Sequence, residues 1–259
     1  MKTAIKLIAY YFAYQWGFSF VTPLLFQAIG THETDVQLYA TGLTMVLSGI
    51  AMISHLVYFK YLTVCKQTLK EISIQTILLC LPLILSATLF FNLTSEWADL
   101  PNVMEDFFIA LCKTPLGFIS VTVMAPIVEE FLFRGTIEER LLRNGYSPTK
   151  AILVSSLIFG IIHLNPAQVP FAFCVGAVFG WLYYKTRSVV PGIVGHFFNN
   201  TCAAVMMAVL PIEEAKTSTF EWMGTIPTYT MMVIAFIVML ASFKYLNIYL
   251  SETKCKQST

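Results

Sequence analysis

The chain has 259 residues, 57% of them hydrophobic and 12% charged, with a formal net charge of +1. Soluble domains carry about 25% charged residues, so this composition excludes a soluble domain and points to an integral membrane protein. The near-zero net charge gives no electrostatic case for nucleic-acid binding, and the cysteines (Cys65, Cys80, Cys112, Cys174, Cys202, Cys255) show neither a CxxC pair nor metal-ligand spacing, so no disulfide framework is expected.

The chain turns apolar soon after Lys2, over a stretch too long for a signal-peptide core and without a small-x-small cleavage site. It reads as a first transmembrane helix. At about 20 apolar residues per crossing, the predicted spans are Ala4–Ile29, Val36–Phe59, Ile72–Leu93, Phe107 to about Arg143, Thr149–Leu164, Val169–Tyr184, Val189–Leu210 and Ile226–Leu250, eight in all. The fourth is too long for one crossing. Pro115 and Pro126 are expected to break or kink it, and its last two turns, with Glu138, Glu139, Arg140 and Arg143, to project into water. The fifth, about 16 residues, suits the inside of a helical bundle better than contact with lipid. Gly145-Tyr146-Ser147-Pro148 joins the fourth span to the fifth, with Ser147 or Thr149 as N-cap. Asn165-Pro166-Ala167-Gln168 joins the fifth to the sixth, where Gly176 and Gly180 form a small-xxx-small face.

With eight spans, fourteen Lys and Arg residues fall on one side and only Lys113 and Lys216 on the other. By the positive-inside rule both termini are cytoplasmic. The expected fold is all-α: a polytopic transmembrane helical bundle of about eight spans, forming a single integral-membrane domain over residues 1–259.

Within this apolar chain a few polar groups stand out. Glu129, Glu130 and Arg134 follow an uncharged run from Leu116 to Val128. A charge at membrane depth costs roughly 2.5–3.5 kcal/mol on insertion scales, so such groups are rare and usually functional. His163 ends the fifth span and His196 lies in the seventh, followed at i+4 by Asn200 on the same face; His32 and His55 read as ordinary. Glu129 lies fourteen residues above Arg143 and His163 fourteen above Thr149, so both stand roughly 20 Å along their helices from the same side. One carboxylate, two imidazoles and an amide can therefore converge at comparable depth. A carboxylate shielded from water is a competent base near neutral pH, a neighbouring imidazole can share the proton and orient a water, and a second imidazole plus an amide N–H can donate to a developing oxyanion. Glu130 with Arg134 reads as a structural pair. No Ser or Cys stands beside a base, and there is no HExxH, GxSG or GxGD signature, so the attacking group is expected to be water.

These residues resemble the CPBP family (CAAX prenyl proteases and bacteriocin-processing enzymes). Its pattern, EExxxR, then FxxxH, then HxxxN, reads here Glu129-Glu130-Phe131-Leu132-Phe133-Arg134, Phe159-Gly160-Ile161-Ile162-His163 and His196-Phe197-Phe198-Asn199-Asn200. The resemblance covers about Pro115 to Leu210, the expected catalytic core at about residues 115–210. It implies a glutamate-dependent intramembrane endopeptidase in the cell membrane, acting in the cytoplasmic half on a membrane-associated peptide, a protein or a CAAX-like substrate. Glu129 and His163 would activate water, His196 and Asn200 would stabilise the oxyanion, and Glu130, Arg134 and Phe159 would support the site. A metal-free mechanism is preferred, because Asn is a poor zinc ligand; zinc on Glu129, His163 and His196 is the alternative. Two other functions are weighed. One is a non-catalytic membrane protein for bacteriocin self-immunity or signalling. The other is a transporter, disfavoured by the lack of an inverted repeat.

Overall fold

Apolar runs of this length leave the backbone no water to bond, so they must satisfy their hydrogen bonds internally as helices. The computed structural model describes residues 2–30, 33–62 and 72–257, the side chains of 33–35 and 253–257 excepted; among these are helices and turns and no strand. His32, Cys65, Lys66 and Lys70 lie outside the described residues. The helices are α1 (Lys2–Ala28), α2 (Glu33–Tyr58), α3 (Ile74–Trp97), α4 (Glu105–Cys112), α5 (Pro115–Arg143), α6 (Pro148–Ile161), α7 (Gln168–Thr186), α8 (Val190–Val209), the short α9 (Ile212–Ala215) and α10 (Thr219–Met223), and α11 (Thr225–Gln257). Each predicted span has a helix at its place. Among the described residues, five helical segments are long and apolar enough to cross a membrane: Val36–Tyr58, Ile74–Trp97, Pro115–Arg143, Val190–Val209 and Thr225–Glu252. The short α6 has 14 residues, about 21 Å at helical rise.

The long fourth stretch divides where Pro115 stands. Thr114 caps the new start, accepting from the Gly117 N–H at 3.1 Å, and Pro115 occupies the first turn, where its missing N–H costs nothing. Pro126 does not break the helix. It follows a π-helical turn, Ser120–Met124, and begins the α-helical stretch Ala125–Leu132; a second π turn, Phe133–Glu138, follows before Glu139–Arg143. In a π turn the N–H of residue i+5 bonds carbonyl i. For Val121 that residue is Pro126, which has no N–H to give. Asn200 fills the gap, its Nδ2 donating to the Val121 carbonyl at 2.9 Å.

Helix α5 is the axis of the structure. Its apolar window is 56% buried, against 11% for α11. On one side Val128, Leu132, Phe133, Ile137 and Leu141 pack with Leu7 of α1, Met52 and Leu56 of α2, and Phe159 of α6. A second cluster joins Leu83 and Ile84 of α3, Phe179 and Leu182 of α7, and Leu246 and Leu250 of α11. Ser147 caps α6, accepting from the Lys150 N–H at 3.4 Å as the sequence implies. Pro191 and Gly192 form the first turn of α8. His55 is a hydrogen-bonded core histidine, with Tyr14 Oη 2.9 Å from Nδ1 and four aromatic rings around it. Cys80, Cys112, Cys174 and Cys202 are free thiols. On the face carrying α4 and α9, Lys216 pairs with Asp106 at 2.5 Å, and this carboxylate raises the amine's pKa, so the pair persists above the usual lysine range.

The end of α5 overturns one expectation. Glu138 and Glu139 do not project into water; they are 0% and 7% exposed. Helix α7 runs alongside. It ends at Arg187 in a left-handed conformation, φ 58°, and this Arg donates to both oxygens of Glu139 at 2.8 and 2.6 Å. Arg143 Nε and Tyr183 Oη complete the shell at 2.7 and 2.9 Å. A carboxylate so surrounded can be buried at the helix end, because each lone pair finds a donor. Glu139→Gln is expected to cost about 1–2 kcal/mol, since hydrogen bonds to charged groups are worth about 1.5–3 kcal/mol but both arginines are part-exposed and screened. The check is a detergent melting curve, with the melting point lowered by a few degrees and the loss smaller in high salt.

Candidate active site

The site is built from α5 outward. Glu129 and Glu130 are consecutive, so their side chains leave the helix about 100° apart. Both nonetheless reach the same ring. His196 of α8 sits between them, Nε2 at 3.7 Å from Glu129 Oε2 and Nδ1 at 3.4 Å from Glu130 Oε1. These are ion-pair distances, but the Nδ1 contact is not aligned as a hydrogen bond, and Nδ1 has no other partner. Catalytic contacts of this length commonly shorten in the complex with substrate. The His196 ring is held by aromatic neighbours: Phe179 stacks on it at 5.6 Å and Phe159 meets it edge-on at 5.8 Å.

His163 stands just beyond the end of α6, not within a helix as the predicted span implies. Its Nδ1 lies 2.8 Å from the Phe159 carbonyl oxygen. A carbonyl can only accept, so Nδ1 carries the proton and Nε2 is the free nitrogen of the neutral ring. The Phe159 ring also touches His163, at 5.0 Å, so one phenyl lies against both imidazoles. Asn200 donates one amide proton to Val121 O and accepts from Asn199 Nδ2 at 3.0 Å, which leaves its second amide proton unengaged. The structure thus brings Glu129, Glu130 and His196 into direct reach of each other and ties His163 to them through Phe159.

Beneath this group runs a buried charged stripe on α5: Glu130, Arg134 and Glu138, four residues apart and all 0% exposed. Arg134 Nη1 lies 3.2 Å from Glu130 Oε1, Nη2 donates to the Gly176 carbonyl at 2.9 Å, and the guanidinium lies 4.5 Å from the Phe159 ring centre. Three glycines make room. An added Cβ would lie 3.0 Å from Arg134 Nη2 at Gly176, 2.6 Å from Glu138 Oε2 at Gly180 and 2.5 Å from Glu130 Oε2 at Gly192. Gly176 and Gly180 thus serve the charges of α5 as well as helix packing. Glu138 and Phe179 are the site's two surprises in sequence. Two glycines four apart, opposite Arg134 and Glu138 with the same spacing, were the signal for the first; the second had none. Gly192→Ala is expected to push Glu130 off His196, at a packing cost of about 1–3 kcal/mol. The checks are a lower melting point together with reduced peptide cleavage in reconstituted vesicles.

A zinc ion would need about three protein ligands. Among the described residues no group of three or more His, Cys, Asp and Glu is gathered to hold a metal. Glu129 and His196 approach each other, but His163 is tied to the pair through an aromatic ring, so these three do not fit a zinc centre as placed.

Residues 112–202 match the family model of the Type II CAAX prenyl endopeptidase Rce1-like proteins. The chain is 29% identical over 220 residues to the Bacillus subtilis (strain 168) protein named "Putative membrane peptidase YdiL", covering 77% of this chain and 87% of that one. It is also 29% identical over 125 residues to the "Membrane-embedded CAAX protease MroQ" of Staphylococcus aureus (strain USA300), covering 46% and 49% of the two chains. No solved structure matches significantly. The matched segment carries all three motifs and the three helices, α5, α6 and α7, whose side chains meet His196, in a multi-pass membrane protein. These matches support the resemblance to the CPBP family.

Proposed function

We propose that the protein is an intramembrane endopeptidase that hydrolyses a peptide bond in a membrane-associated peptide or CAAX-like substrate, using water activated by Glu129. The observation that carries this reading is the 3.7 Å approach of Glu129 to His196 inside the helical core, with Glu129 only 8% exposed. Water, oriented by the free Nε2 of His163, attacks the scissile carbonyl and gives its proton to Glu129. The carbonyl oxygen becomes an oxyanion, met by His196 and by the spare amide proton of Asn200. The tetrahedral intermediate collapses, the C–N bond breaks, and the proton held by Glu129 passes to the leaving amine. Glu130, Arg134 and Phe159 hold His196 and Glu129 in place.

In this reading eight helices cross the bilayer with both termini cytoplasmic, supported by the fourteen-to-two division of Lys and Arg. The site lies in the cytoplasmic half of a single membrane domain, and residues 115–210 form its catalytic core. The test is cleavage of a quenched CAAX-like peptide by purified protein in proteoliposomes, with and without a zinc chelator. Expected are cleavage that survives chelation and its loss in His163→Ala. Normal cleavage by that variant overturns the peptidase mechanism, and loss on chelation overturns its metal-free form.

A further inference from the structure

A hydrolase embedded among apolar helices must bring water to its base, and the cluster that packs α5 against α1 and α2 is apolar. One cavity differs. It lies where α1 and α2 meet α5, is lined by Tyr11 and Gln15 of α1, Ser48 and Gly49 of α2, and Met124 and Val128 of α5, and has a volume of about 20 Å³. A single water needs roughly 10–15 Å³ and two to four polar partners. A phenol, an amide and a hydroxyl border this space. Ser48 Oγ donates to the Met45 carbonyl at 3.3 Å, which leaves its own lone pairs available. The walls are close: an added Cβ on Gly49 would lie 2.8 Å from Val128 Cγ2 and 2.9 Å from Met124 Cγ. The cavity is linked to the candidate base through Tyr11, which lies beside Gln15 and within the electrostatic reach of Glu129. Tyr11, Gln15 and Ser48 all lie outside the family-matched segment 112–202.

We propose that this cavity is a one-water site that supplies Glu129, with Tyr11 and Gln15 as positioning residues that hold the water next to the carboxylate. The inference rests on the peptidase reading above and extends its machinery to α1 and α2. The tyrosine hydroxyl and the Gln15 amide donate to the water oxygen, while Ser48 Oγ accepts one of its protons. The other proton points toward the α5 carboxylate.

Two measurements on the full chain in proteoliposomes test it. The first is X-ray hydroxyl-radical footprinting, which oxidises side chains next to bound water and needs no substrate. Tyr11 and Met124 should be labelled in the wild type and protected in Ser48→Val, whose extra methyl groups fill the space. Absence of labelling at both residues overturns the water site. The second is steady-state cleavage by Tyr11→Phe and Gln15→Leu, with Glu129→Gln alongside. Each cavity variant should lower kcat about tenfold or more with KM within about twofold, the mark of a lost transition-state role. Unchanged kcat in both variants, beside an active wild type and an inactive Glu129→Gln, overturns the supply role. A wild type that does not cleave, or a Glu129→Gln that cleaves normally, overturns the peptidase reading instead, while footprinting still decides the water site.

Discussion

Glu129→Gln is expected to lower kcat for peptide cleavage by about 10²–10⁴-fold, the usual weight of a general base, while the melting curve stays where it was. The amide matches the carboxylate in shape and can still face His196, but it cannot take a proton from water. The stability side follows from geometry. Glu129 approaches His196 at 3.7 Å, too long for a strong hydrogen bond, so little folding energy rests on it. Activity and stability should therefore separate cleanly at this position, in steady-state kinetics set beside a detergent melt. Full activity in Glu129→Gln rejects the assignment of the base.

Arg134→Ala should do the opposite and strike stability first. The guanidinium is fully buried and meets Glu130, the Gly176 carbonyl and the Phe159 ring at once. Removing it leaves the Glu130 carboxylate uncompensated in the core, a loss of about 3–5 kcal/mol. Arg134→Lys should not rescue, because a point charge cannot lie flat on Phe159 while also reaching two acceptors. The double variant Glu130→Gln with Arg134→Met separates the two roles. Replacing both members of a buried pair is often neutral for folding, so yield and melting point should return toward wild type. Cleavage should not return, because the carboxylate that faces His196 Nδ1 is gone. Recovery of cleavage in the double variant would reduce the pair to packing alone.

The sequence was most informative where chemistry is local. The position of each long helix follows from its apolar run, the break before Pro115 from proline geometry, and the cap at Ser147 from its place before Pro148. The residues of the three motifs sit on α5, α6 and α8, with His163 two residues past the end of α6. The sequence was least informative where two distant segments meet. Counting helical rise put Glu138 and Glu139 toward water because nothing near them in the chain shows that Gly180, Tyr183 and Arg187 of α7 lie alongside. Tyr11 was also out of view, because its partner on α5 is more than a hundred residues away. Pro126, expected to break or kink the helix, does not break it, because the π turn before it is invisible to a rule written for α-helices.

Those two π turns let the axis of the molecule tolerate a change in length that its neighbours would not. Each behaves as a one-residue insertion that the helix has absorbed without breaking. Excising a single residue from Phe133–Glu138 would return that stretch to ordinary α-helical pitch while the residues on either side keep their facing, so Glu129 would stay against His196 and Glu139 against Arg187. The same excision from an uninterrupted helix such as α7 would turn everything beyond it by about 100°.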